Sequence, residues 1–447
     1  MDDSISARIS PSCPSETQQI LTASWSHDHA TVKKLLDTPG VASARDPVTR
    51  ETPLHAAIRS LGPAPDPETN PLSEEELKED EAAVEAAVAT VKELFLWGAI
   101  WNDVDDRDET PGCLAARLGR GGMYDLCVEA GVRAELLFGL FEGYEELESG
   151  DEDEGLEGWN EEEGEEEGDH VEIEMEDGHV NGALEDGEDA PELVEMAEEE
   201  KEEEKTNGGV DVNSEEYLRS HLTLDESKLV DEEGNGVMMA WETDIMQRSK
   251  DALLCQPQQG KRVLNIGFGM GIIDTMFADT KPAQHHIIEA HPDVLKRLES
   301  PESKFGAEWE ASGPQPGAYK VHQGKWQEVC PQLLADGVVY DAIYFDTFGE
   351  DYSQLKAFFT DYVPGLLDSD GVFGFFNGLG ADRKICYDVY TKVVEMHLAD
   401  AGLDVEWQVI DVDLKGLEEA GKGEWEGVRR RYWTLDKYRL PVCTFMG

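Results

Sequence analysis

The sequence predicts an α/β protein built on a mostly parallel, doubly wound sheet. Three observations carry that prediction. Val263–Ile266 is a short apolar run that breaks into Gly267-Phe268-Gly269-Met270-Gly271, and apolar residues at helical spacing follow (Ile272, Ile273, Met276, Phe277). The next apolar run, His285–Ile288, ends in an acid, Glu289, about twenty residues past the glycines. Strand-like and helix-like segments then alternate to the end of the chain.

Each element has a physical reason. Glycines let the backbone turn tightly and approach a ligand without a Cβ clash. The helix that follows turns free N–H groups toward an anionic group. A plain strand–helix corner would account for the loop alone. Loop and spaced acid together point to a nucleoside cofactor, whose ribose hydroxyls would donate to Glu289. Further strands are expected at Tyr319–His322, at Tyr340–Phe345 ending in Asp346, and at Gly371–Phe376, with Val405–Ile410 and Tyr432–Leu435 as a terminal pair. Helices are expected at Pro292–Leu298 and near Val329–Leu334.

The 447 residues carry a formal charge of −61. About half of it falls between Phe141 and Thr206, in runs of Glu and Asp with Gly and little aliphatic pattern. That stretch has too little apolar area to offset chain entropy, so 141–211 is expected to be a disordered acidic linker. It serves as a solvated spacer or as an attractor of basic partners. The charge disfavours direct binding to nucleic acid or to anionic membranes and favours a basic protein partner. No apolar run approaches membrane-spanning length. Seven scattered cysteines without a C-x-x-C pair, and the lack of a secretory leader, lead us to expect reduced thiols in the cytosol or nucleus. No metal centre is expected.

Residues 1–20 are polar, contain Pro11 and Pro14, and are expected to be disordered. Helical spacing begins near Leu21, and Thr52-Pro53-Leu54-His55-Ala56-Ala57 matches the hexapeptide that opens an ankyrin repeat. Thr52 would cap a helix with Pro53 at its first position, and His55 would bond turn backbone, a structural role. A second copy opens at Thr110-Pro111 behind the inserted stretch Leu61–Asp80, and a degenerate third unit spans Met123–Leu140. Residues 21–140 are thus read as ankyrin-like repeats and 212–447 as the α/β domain, with Ser214 placed to cap its first helix.

At the level of motifs, Trp241-Glu242-Thr243-x-x-Met246, Gly267-Phe268-Gly269-Met270, Ile287-Ile288-Glu289, Gly324-x-Trp326 and Asp346-Thr347 occur in the order found in guanidinoacetate methyltransferase. With the repeats ahead of it, the chain resembles the fungal protein arginine N-methyltransferase 2 family. The resemblance implies a Rossmann-like class I methyltransferase domain that uses S-adenosyl-L-methionine to methylate the δ-nitrogen of a protein arginine. It also implies a large-subunit ribosomal protein as target. Carried over residue by residue, Phe268, Gly269, Met270, Gly271, Ile272 and Ile273 would line the methionine and adenosine part of the cofactor. Glu289 would hold the ribose hydroxyls with Ala290 and His291 beside it, Gly324 and Lys325 would border the adenine, and Tyr217 and Met246 would close the site. Asn265 departs from the wider methyltransferase pattern, which often has an acid there.

The chemistry points the same way. A guanidinium is always protonated and a poor nucleophile, so acids must grip it and help one nitrogen lose its proton. Glu242 and Asp346 are the candidate catalytic residues, and Asp346 also borders the cofactor. Their bland alternatives are a surface carboxylate beside a packing Trp241 and a helix cap. Competing readings are a small-molecule guanidine methyltransferase, a catalytically silent binding module, and a dehydrogenase, which would not require the acid pair. A monomer located in cytoplasm and nucleus is expected.

Overall fold

The computed structural model describes residues 3–66, 73–141, 214–225, 228–254, 257–300, 303–418, 425–429 and 431–447. The acidic linker expected at 141–211 lies, from 142 on, outside the described residues. Residues 1–143 and 210–447 cluster as one unit, so the repeats and the α/β domain are not separate bodies.

The chain opens with helices α1 (Ile5–Arg8), α2 (Ser15–Trp25), α3 (His29–Leu36), α4 (Pro53–Arg59), α5 (Glu74–Leu96), α6 (Pro111–Arg117) and α7 (Gly121–Phe141). The expected disorder of 1–20 is corrected here. Arg8 is buried and donates to Glu51 (2.7 Å) and Asp105 (2.9 Å), which ties the N-terminus into the helices. Two helix openings share Glu-Thr-Pro and an arginine eight residues after the glutamate. Thr52 caps α4 and Thr110 caps α6, each followed by proline at the first turn. Arg50 and Asp108 both adopt positive φ just before them. Glu51 pairs with Arg59 (3.0 Å) as Glu109 pairs with Arg117 (2.5 Å). His55 is fully buried, its Nδ1 at 2.8 Å from Thr52 Oγ1 and its Nε2 at 2.9 Å from the Glu109 carbonyl.

Helix α8 (Ser214–Arg219), a small antiparallel sheet of β1 (Thr223–Leu224), β2 (Lys228–Val230) and β3 (Gly236–Met239), and α9 (Thr243–Leu253) lead into the main sheet. There follow β4 (Arg262–Ile266), α10 (Ile272–Asp279), β5 (Gln284–Glu289), α11 (Pro292–Leu298), α12 (Ala307–Ala311), β6 (Tyr319–Gln323), α13 (Trp326–Ala335) and β7 (Tyr340–Phe345). The chain ends with α14 (Tyr352–Ala357), α15 (Val363–Leu366), β8 (Leu367–Phe375), α16 (Lys384–Asp400), β9 (Leu403–Asp411) and β10 (Lys437–Phe445).

The seven strands lie in the order β6-β5-β4-β7-β8-β10-β9. The first five run parallel, and β10 runs antiparallel between β8 and β9. This is the expected doubly wound, Rossmann-like sheet. The terminal strand is corrected from Tyr432–Leu435 to Lys437–Phe445; Pro441 inside it breaks the usual strand composition. The chain leaves β4 toward β5 and β6 and later returns to β7 on the other side, so the carboxyl ends of β4 and β7 flank the switch point where such sheets bind ligands.

Helix α16 joins the two halves. Its Ile385, Val389 and Val393 belong to the same apolar core as Leu54, Val91, Leu114 and Val128 of the N-terminal helices. Small residues permit the approach: a Cβ on Gly112 would lie 1.9 Å from Ile385 Cδ1, and one on Gly131 would lie 2.7 Å from Val389 Cγ2. Polar contacts seal the seam, with Tyr124 donating to Asp388 (2.5 Å) and Tyr390 to Glu135 (2.9 Å).

Candidate active site

At the switch point the backbone of three strand ends is laced together. The Gly267 N–H donates to the Ile288 carbonyl (2.9 Å) and the Asp346 N–H to that of Ile266 (2.8 Å). Gly267 has φ +90°, and a Cβ there would sit 1.9 Å from the Asp346 carbonyl oxygen, so only glycine fits. Asn265 accounts for the missing acid. It is fully buried, and its Nδ2 donates to the Gly267 carbonyl (2.8 Å) and to Asp274 (2.7 Å), whose other oxygen meets His285 Nε2 (2.9 Å). An amide can hold the loop carbonyl as a donor, which a carboxylate cannot.

Glu289 ends β5 facing the loop. One oxygen accepts from the N–H groups of Phe268 (2.9 Å) and Gly269 (3.4 Å), the other from His291 (2.6 Å). Burial pushes its pKa up and these backbone donors pull the other way. The carboxylate is held rigidly on a cleft enclosing about 670 Å³.

Of the residues singled out from sequence, the cleft is lined by Tyr217, Gly269, Glu289, Ala290, Gly324, Lys325 and Asp346. Tyr217 reaches it from α8, its ring 4.8 Å from that of His291 and 4.9 Å from Phe348. The other side chains lie outside this lining. Met246 and Ile273 are buried in the apolar core with Ile272 packed against it, because both helices turn these faces toward the sheet. Phe268 packs its ring on Phe305 (5.4 Å) and, with Met270 and Gly271, borders a separate depression beside Arg297. His291 is buried; it meets the Tyr217 carbonyl through Nε2 (2.9 Å) and caps α11. The cleft also takes Val237, Met238, Trp326, Thr347 and Phe348, none of them singled out for it from sequence. Trp326, Thr347 and Phe348 adjoin motif residues, which was the available signal. Met238 had none, yet it lies over the loop, its sulfur accepting from the Met270 N–H (3.2 Å).

A second pocket, enclosing about 1380 Å³, is lined by Glu242, Asp346, Glu350, Phe376, Asp382 and Tyr432 among others. Asp346 lines both spaces, as do Val237, Thr347, Phe348 and Glu350, so the two adjoin along this wall. Glu242 is 2% exposed. Its Oε1 accepts from the Met239 N–H (2.9 Å) and from the Tyr432 hydroxyl. Tyr432 is itself stacked on Trp241 (6.2 Å, 28°) and edge-on to Trp425. Burial pushes Glu242 up to about 7, against the pull of these two donors. Asp346 keeps partial solvent access, but its Oδ2 is buried and has no hydrogen-bond partner among the described residues. Burial and the charge of Glu242 hold its pKa well above the ordinary carboxylate value. Five acids thus line one pocket (Glu242, Asp346, Glu350, Asp351 and Asp382), with no basic side chain among its described lining residues.

The guanidinoacetate N-methyltransferase family model matches residues 217–410. Over the whole chain, protein arginine N-methyltransferase 2 of Neurospora crassa is 65% identical across 446 residues, covering 100% of this chain and 99% of that protein. The protein of the same name from Gibberella zeae is 59% identical over 443 residues, covering 98% of this chain and 94% of its own length. Among solved structures, spermidine synthase from Thermotoga maritima aligns at 12% identity and TM-score 0.34, over 51% of this chain and 72% of that one. The chain belongs to the protein arginine N-methyltransferase 2 family and is a methyltransferase whose cofactor is S-adenosylmethionine.

Proposed function

We propose that this enzyme methylates a guanidinium nitrogen of arginine in a basic protein, and that Glu242 and Asp346 carry the reaction. The observation behind this reading is the acid pair in one pocket that adjoins the glycine-loop cleft along the wall carrying Asp346. Two buried acids repel, and a planar cation with five donors is the partner that relieves both. Glu242, fixed by Met239 and Tyr432, would grip the guanidinium and localise its charge. The bare Oδ2 of Asp346 would accept the proton from the attacking nitrogen.

The cleft fits the cofactor: Glu289 would accept from the ribose hydroxyls, the loop backbone would face the methionine end, and Gly324 and Lys325 would border the adenine. The bound cofactor supplies an electrophilic methyl on its sulfonium, for in-line displacement. Tyr217, Phe348 and Trp326 would restrict water there. Positioning the nitrogen against that methyl supplies most of the catalysis.

The family resemblance makes the internal δ-nitrogen the acceptor and a large-subunit ribosomal protein the target. It makes the repeated N-terminal helices ankyrin-type units that help hold that target. Incubating the full-length protein with methyl-labelled cofactor and separated ribosomal proteins, then hydrolysing to amino acids, tests this. Label in δ-methylarginine of one protein is expected. Label in terminal-nitrogen methylarginine would overturn the δ assignment. Because the family model matched is that of guanidinoacetate N-methyltransferase, free guanidinoacetate is the decisive competitor substrate. Its labelling in preference to any protein would overturn the protein-substrate reading.

A further inference from the structure

Asp351 lines the pocket that holds the acid pair and also a trench between the end of α7 and helices α14 and α16, so the two are neighbours on the surface. The floor of the trench is aromatic. Tyr352 and Tyr390 lie 5.7 Å apart, and Tyr352 stacks on His397, its hydroxyl 2.6 Å from Nδ1. Among the described lining residues its walls carry Glu135, Asp351 and Asp361 against Lys356, and burial keeps His397 less basic than usual. On the α7 side Phe138 stands 63% exposed.

We propose that this trench seats a basic segment of the protein substrate next to the arginine that enters the pocket. The proposal rests on the arginine-methylation reading above and adds the surface that would recognise the rest of the substrate. An aromatic floor flanked by carboxylates binds lysine and arginine side chains through cation–π attraction and charge together. Charge also decides among occupants. The chain's own segment after α7 is dominated by Glu and Asp, and a second copy carries −61, so both are repelled. The α7 wall gives the N-terminal helices a share in substrate binding, because α7 is held against α16 by the common core.

The test is binding, read without methyl transfer. The probe is a fluorescent twelve-residue peptide with one arginine, five lysines and one phenylalanine, added to the full-length protein. Asp361→Lys combined with Glu135→Gln should weaken it about tenfold, and Lys356→Glu should tighten it several-fold, with cofactor affinity unchanged. A control pair, Asp404→Lys with Glu406→Lys on the exposed face of β9, should leave binding within about twofold. Equal loss in trench and control variants, or loss in neither, overturns the proposal, as does a dimer that the trench variants dissociate. Asp346→Asn separates the two claims when the peptide's arginine is replaced by alanine: the trench variants should still weaken binding of this arginine-free peptide, whereas Asp346→Asn should leave its binding within about twofold while abolishing methyl transfer to the arginine peptide, so failure of the trench and failure of the catalytic reading give different results.

Discussion

Two of the places where the molecule buries charge are opposite in kind. Among the N-terminal helices, Arg8 and Arg59 meet Glu51 and Asp105, all at most 2% exposed and linked at 2.7–3.0 Å, and the more exposed Asp106 and Asp3 pair with the same two arginines, so every carboxylate has a cation beside it. At the switch point, Glu242 and Asp346 are two acids with no cation beside them among the described lining residues; a backbone N–H and a tyrosine hydroxyl donate to Glu242, and burial holds both pKa values up. Burial of charge is therefore no mark of a site by itself. A balanced cluster is complete and holds helices in register. An unbalanced pair is complete only when a cation arrives.

The sharpest way to break the contrast is Asp346→Asn. Methyl transfer should fall by about a thousandfold while cofactor affinity stays within about twofold, measured by steady-state kinetics and calorimetric titration. Full activity would remove Asp346 from the mechanism. In the balanced cluster the effect should be on stability instead. Arg59→Ala leaves Glu51 and Asp105 with one guanidinium between them, and urea unfolding should show a loss of about 3–5 kcal/mol. Activity per folded molecule should be unchanged.

A smaller loss is expected at the seam. Gly131→Val drives a side chain into Val389 and Trp101 and should cost about 1–3 kcal/mol in the same unfolding assay. Smallest is Tyr432→Phe. The hydroxyl favours ionised Glu242, so its loss should raise that pKa further and move the rising limb of the pH–rate profile to higher pH. An unmoved limb would mean that Glu242 does not control the profile.

How far the sequence could be read follows the range of the interactions. The glycine turn, Glu289 and Asp346 lie at strand ends, where local pattern and spacing carry the meaning. Met246 and Ile273 were placed at the cofactor by the family resemblance alone; in the fold their side chains belong to the apolar core, and periodicity locates a helix face without saying whether it meets a ligand or the core. The ordered N-terminus depends on Arg8 finding Glu51 and Asp105 far along the chain, and no local pattern shows that. The seam between α7 and α16 is equally non-local; Gly112 and Gly131 read as ordinary helix glycines until the partner helix is in place. Tyr432 was read as part of a terminal strand, and only the fold brings it to Glu242.

The most direct test of the account is the thermal stability of the full-length wild type against Asp346→Asn across pH. In the folded protein the Asp346 pKa is raised, so folding retains a proton that the unfolded chain gives up above its ordinary value of 3.8. Stability from this group is therefore lost as pH rises. The account predicts that the asparagine variant is more stable than wild type at about pH 8, and that the gap closes toward about pH 4. A variant less stable than wild type at every pH would contradict it, placing Asp346 with the structural charges of the N-terminal cluster instead.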